Sequence, residues 1–128
     1  MNKILIDTNV YSKALRGDAD CVATLSQVVK IGIAAISIGE LLSGFKGGLR
    51  EERNKAELGE FLDSPRVTVY PVDEDTAEYY SLILNGLKKN GTPIPTNDIW
   101  IAAVASQHGL QLYTFDKHFS LIKGLLLR

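Results

Sequence analysis

Four carboxylates stand where acids commonly do chemistry. Asp7 follows a short apolar run, Glu40 a second one, Asp98 opens a wholly apolar helical pattern, and Asp116 lies three residues past another apolar run. Gathered at one place they repel: at ~4 Å and an effective dielectric near 20, each like-charged pair costs roughly 4 kcal/mol. A fold that collects them needs protons or a cation. A hard divalent cation with oxygen ligands is the usual partner, and such a centre suits phosphate chemistry.

The elements must bring these distant residues together. Lys3 to Ile6 reads as a strand, with Asp7-Thr8-Asn9 capping a helix to about Leu15. A second helix is predicted from Ala19 to Lys30, and the apolar run Ile31 to Ile36 as a strand buried on both faces. Ser37 then opens a helix to Leu42 or Phe45, and a charged helix spans Glu51 to Leu62. Val67 to Tyr70 is a third strand. Asp73 caps a long helix to Lys89, stopped by Gly91, and Asn97 begins a helix ended by Gly109. Leu110 to Tyr113 is a fourth strand and Leu125 to Leu127 a candidate fifth. Alternating strands and helices imply an α/β fold around a mostly parallel sheet. Ligands in such folds bind beyond the carboxyl ends of the strands, the edge to which all four acids map.

Each acid also has a plainer role. Asp7 serves as a helix cap, and Asp98 as an anion favoured at a helix N-terminus. Asp116 fits an ordinary turn. Ser37-Ile38-Gly39-Glu40 matches a capping box, the stronger reading of Glu40 on local sequence alone. The run Ile99 to Ala105 shifts the balance for the set: a helix apolar all round is buried. An acid at its mouth needs a partner, and no Lys or Arg lies between Asn90 and Gln107.

The chain has 128 residues, enough for one domain with a proper core. Its net charge of −1 advertises no global nucleic-acid field, although a local basic patch suffices for binding. The one cysteine, Cys21, forbids an intrachain disulfide and reads as core packing. No signal-peptide pattern opens the chain, and no apolar run is long enough to cross a membrane. A soluble cytoplasmic protein is expected.

Ile6-Asp7-Thr8-Asn9, Glu40-Leu41-Leu42-Ser43-Gly44, Asn97-Asp98-Ile99-Trp100-Ile101-Ala102-Ala103 and Thr114-Phe115-Asp116-Lys117-His118-Phe119 occur in this order. Together with Gly91 to Pro95 they resemble the PIN-domain nucleases, most of all the VapC-type toxins of prokaryotic toxin–antitoxin pairs. The likeness covers essentially the whole chain, residues 1–128, as a single domain. It implies a three-layer fold, with a sheet of four to five strands flanked by helices. It also implies a Mg²⁺- or Mn²⁺-dependent endoribonuclease that uses metal-activated water and leaves 5′-phosphate and 3′-hydroxyl ends. Asp7 and Asp98 match the principal metal ligands, Asp116 a third, and Glu40 a catalytic acid acting through water. Thr114 matches a supporting hydroxyl residue. Phe115 stands where the family often has Asn. A homodimer and a VapB-like antitoxin partner are implied as well, with Leu41 to Leu49 as a groove for the antitoxin.

Lys13, Arg16, Lys46, Arg50, Arg53 and Lys117 are candidates for RNA phosphate contact, Lys46 and Lys117 foremost. Tyr11, Phe45 and Phe115 are candidates for stacking on bases. His108 and His118 show no partner at a meaningful spacing, which disfavours metal-free histidine catalysis. A catalytically silent binding module has no need of a repulsive acid cluster. A receiver domain would want adjacent acids after the first strand. A structure-specific DNase would need insertions for which this length leaves no room.

Overall fold

The structure is a computed structural model and describes residues 3–128. Four parallel strands, β1 (Lys3–Ile6), β2 (Lys30–Ala34), β3 (Val67–Tyr70) and β4 (Gln111–Tyr113), form one sheet in the order β3-β2-β1-β4. The first three strands wind one way from β1, and β4 joins β1 on its other side. The winding therefore reverses between β1 and β4. That crevice, at the carboxyl ends of the strands, is where open α/β sheets place ligands.

Side chains alternate across the sheet with period two. Leu5 and Leu112 face one layer, built with Leu87 of α5 (Glu74–Asn90) and Ile99, Ile101 and Val104 of α6 (Thr96–His108). Ile4, Ile6, Ile31 and Ile33 face the other. There they meet Val10 and Tyr11 of α1 (Thr8–Leu15), Cys21 of α2 (Ala19–Gln27), Leu41 of α3 (Ala35–Phe45) and Leu58 of α4 (Glu51–Asp63). Cys21 is fully buried among these apolar neighbours. Both α5 and α6 end on glycines in the left-handed conformation, Gly91 (φ 68°) and Gly109 (φ 63°). Among the described residues, no helix is long and apolar enough to cross a membrane.

Three expectations need correction. The strand predicted from Ile31 to Ile36 stops at Ala34, and α3 begins at Ala35 with no intervening loop. An unbroken apolar run carries no period to separate strand from helix. Ser37 is consequently not a cap. It lies inside the helix, fully buried, and its hydroxyl has no hydrogen-bond partner. The capping-box reading of Glu40 falls with it, and Glu40 sits in the second turn of α3 rather than the first. The candidate fifth strand is only an isolated parallel bridge, Leu112 to Leu127. Around it Leu112 N–H donates to Leu126 O (2.7 Å), and Arg128 N–H donates to Leu112 O (2.9 Å).

Gly32 in β2 lies under the Tyr70 ring, where a Cβ would stand 2.5 Å from Tyr70 Cε2 and 3.3 Å from Ile4 O. Gly32→Ala is therefore expected to destabilise the fold by about 1–3 kcal/mol, as overpacking does. Urea titration checks this. Combined with Tyr70→Ala, it should cost less than the sum of the two single changes.

Candidate metal centre

Asp7 leaves β1 at its carboxyl end and caps α1. Its Oδ1 accepts from the Val10 N–H (2.9 Å) and its Oδ2 accepts from the Thr114 hydroxyl. Thr114 follows β4, and its oxygen accepts in turn from the Asp116 N–H (3.0 Å). One hydroxyl thus ties the ends of β1 and β4 together across the crevice. Asp116 caps a 3-10 helix, Lys117–Leu121, its Oδ1 accepting from the His118 N–H at 2.9 Å. Asp98 arrives from the first turn of α6, where the positive end of the helix dipole favours an anion. Glu40 reaches in from α3. Its Oε1 accepts from the Thr8 hydroxyl (2.5 Å) and its Oε2 from Asn97 Nδ2 (3.4 Å).

The structure therefore brings Asp7, Glu40, Asp98 and Asp116 to one edge, each fastened to a neighbour of another. It also adds three residues with no assigned role in the sequence reading. Thr8 and Asn97 flank Asp7 and Asp98, so their adjacency was a visible signal. His118 was set aside for want of a partner, yet its Nδ1 lies 3.1 Å from Asp116 Oδ1 and 3.4 Å from Asp98 Oδ2. Sequence spacing cannot show a contact between the 3-10 helix and α6, which packing alone creates.

The electrostatics express the crowding. Burial is the main cause that pushes the Asp7 carboxyl above its ordinary value. The hydrogen bonds from Thr114 and Val10 work against that rise, and the charges of Asp116 and Glu40 add to it. The Asp98 carboxyl is also raised, first by burial. His118 opposes the rise through its hydrogen bond, while Asp116 and Glu40 reinforce it. Among the described residues, no Lys or Arg forms an ion pair with any of the four. Oxygen donors held with their charge uncompensated fit a divalent cation. Among the described residues, one group of three has ligand atoms all within 4.8 Å of one another: Asp98, Asp116 and His118, with Asp7 and Glu40 outside it.

The surroundings are uneven. An open cleft of about 280 Å³, lined by Asn9, Lys13, Arg16, Phe115 and Asp116, reaches the acid cluster at Asp116. Phe115 is half exposed, with Lys13 Nζ 5.1 Å above its ring. Tyr11 is buried against Phe61, and Phe45 packs against the core. Lys117 directly follows Asp116 and is exposed, whereas Lys46 caps the far end of α3 and lines a separate cleft with Leu42, Ser43, Glu51 and Lys55.

A parallel sheet with an acid-lined crevice at its winding reversal has the arrangement in which open α/β folds hold their ligands. The PIN domain family profile matches residues 4–125, and the chain belongs to that family. It is 28% identical to Ribonuclease VapC4 of Mycobacterium tuberculosis over 94% of this chain and 91% of that one. With Toxin FitB of Neisseria gonorrhoeae it shares 34% identity over 88% of this chain and 87% of the relative. The solved VapBC2 complex from Rickettsia felis, bound to a DNA fragment from its promoter, superposes with a TM-score of 0.90. That match has 25% identity and covers 98% of this chain and 97% of the other.

Proposed function

We propose that this protein is a Mg²⁺- or Mn²⁺-dependent endoribonuclease, acting in the cytoplasm as the toxin of a toxin–antitoxin pair. The observation that carries the reading is the acid crevice itself. Asp7 and Asp98 are both partly or wholly buried there, and among the described residues no Lys or Arg pairs with either. The family relatives support it through their names, ribonuclease and toxin.

Asp7, Asp98 and Asp116 would hold the cation, with Glu40 alongside. A bound divalent cation supplies a Lewis acid that polarises the phosphoryl oxygens and activates water near neutral pH. The chain's own residues do the positioning. Thr114 fixes the Asp7 carboxylate by its hydroxyl, and the same oxygen sets the backbone at Asp116. Thr8 and Asn97 orient Glu40 toward the crevice. Lys13 and Arg16 make no ion pair among the described residues and line the cleft shared with Asp116, which suits neighbouring phosphates of a single strand. Half-exposed Phe115 offers a face for a base.

A second, larger cleft of about 430 Å³ has Tyr11, Leu15 and Phe45 beside Arg16, Arg50 and Arg53. This mixed apolar and basic surface suits an antitoxin segment, and Leu49 is fully exposed nearby in the chain. A VapB-like antitoxin and a homodimeric toxin complete the proposal, in keeping with the VapBC complex that the fold matches.

The direct test is cleavage of single-stranded RNA with Mg²⁺ or Mn²⁺, with and without EDTA. Cleavage should vanish on chelation and return when cation is added in excess. Cleavage that survives EDTA, with contaminating nuclease excluded, would overturn the cation requirement.

A further inference from the structure

The two histidines of the chain occupy very different places. His108 ends α6, ten residues after Asp98, which puts it ~15 Å down the helix axis. Its ring lies against Tyr70, with centroids 4.5 Å apart. His118 is at the crevice. Its backbone N–H is bound by the Asp116 carboxylate, so the acid places the imidazole beside itself. The ring's Nδ1 then stands 3.1 Å from Asp116 Oδ1 and 3.4 Å from Asp98 Oδ2.

Two kinds of contact share those separations. A hydrogen bond gives them, and so do neighbouring corners of one coordination shell. Donors bound at ~2.1 Å and right angles stand ~3 Å apart. A carboxylate oxygen has lone pairs enough to accept the His118 N–H and still bind a cation. Asp116 Oδ1 can therefore do both.

We propose that His118 Nδ1 is a nitrogen ligand of the divalent cation, sharing it with Asp98 and Asp116, and that it biases the centre toward Mn²⁺ over Mg²⁺. The inference rests on the reading of the acids as a cation site and adds to it a donor of different chemistry. Carboxylate, carbonyl and water oxygens suit Mn²⁺ and Mg²⁺ alike, but Mn²⁺, a first-row transition ion, also takes an imidazole nitrogen, which the smaller and harder Mg²⁺ accepts reluctantly. A shell of acids alone lacks that preference. With His118 in the shell, Mn²⁺ gains a bond that Mg²⁺ values little.

Mn²⁺ itself is the probe. Binding to the full-length protein is followed by the loss of the free-ion electron paramagnetic resonance signal, with Mg²⁺ as competitor. Electron spin-echo modulation then reports a nitrogen bonded directly to Mn²⁺. The wild type should show that nitrogen coupling, and His108→Gln should keep it. His118→Gln should lose it, and its preference for Mn²⁺ over Mg²⁺ should fall about 10-fold, the equivalent of ~1.4 kcal/mol. His118 is about half exposed, so the variant should fold, as circular dichroism will verify. Asp98→Asn should instead weaken both cations. Mn²⁺ bound to the wild type without nitrogen coupling overturns the inference and leaves the acid site standing, as does coupling that persists in His118→Gln. Absence of Mn²⁺ binding to the wild type overturns both.

Discussion

Asp98→Asn is expected to leave the protein folded and to reduce RNA cleavage at least ~10³-fold. A divalent cation contributes several kcal/mol to the transition state, and ~4 kcal/mol corresponds to about three factors of ten in rate. The substitution keeps the shape of the side chain at the mouth of α6 while removing a charge that would hold the proposed cation. Asp7→Asn should behave alike, since an amide oxygen still accepts from Val10 N–H and preserves the cap of α1. Glu40→Gln should lose less, about 10–100-fold, because Thr8 and Asn97 already engage its carboxylate, which would support the cation's ligands rather than bind the cation itself. Single-turnover cleavage at saturating RNA measures all three. Equal activity of Asp98→Asn and wild type would dismiss the carboxylate site.

Asp7→Asn and Asp98→Asn should each stabilise the cation-free protein at neutral pH. Asp7 and Asp98 have folded-state carboxyls raised above 3.8, the value they approach when unfolded. Between those values the folded chain holds more protons than the unfolded one. Its stability therefore falls as pH rises through that window, and the deficit persists at neutral pH. Asn at either position removes the deficit. In EDTA, the melting temperature of Asp98→Asn minus that of wild type should be smallest below pH 3.8 and grow as pH rises. Mg²⁺ or Mn²⁺ at a hundred times its Kd should add about 2.7 kcal/mol to the wild type, roughly 10 °C. The order of the two proteins then inverts. Parallel melting curves at every pH, with no response to cation, would sink this expectation. Asp18 and Asp73 are lowered by hydrogen bonds at helix starts, chiefly from the backbone N–H groups of Cys21 and Thr76. They act in the opposite sense, but both are solvated and common to wild type and variant, so they cancel in the difference.

What the sequence made legible follows the range of the forces involved. The order of strands and helices could be read because caps and stops are local: Asp7, Asp73, Gly91 and Gly109 act within a few residues of themselves. The β2–α3 junction could not, because Ile31 to Ile36 offers only apolar side chains to both alternatives. Asp7 and Asp116 reach the same edge once parallel strands are granted, since each follows a strand end. The fastening of Glu40 to Thr8 and Asn97 spans 32 and 57 residues, and the approach of His118 to Asp98 spans 20. Such contacts depend on strand register and helix packing, which no window of sequence contains. Basic residues showed the same limit. Lys13 and Arg16 share the cleft with Asp116, while Lys46 faces a different one.

The bonds at Leu112 have a bearing on how partners can approach. Both backbone groups of this β4 residue are taken by Leu126 and Arg128. A partner that binds by adding a strand to the sheet meets Leu112 already bridged by the C-terminal segment beside the crevice. The opposite margin of the sheet is β3, two strands away from β1. Access to the acids from the β4 side therefore belongs to helices and to extended chains held by side chains, and strand-to-strand recruitment is diverted to the far margin.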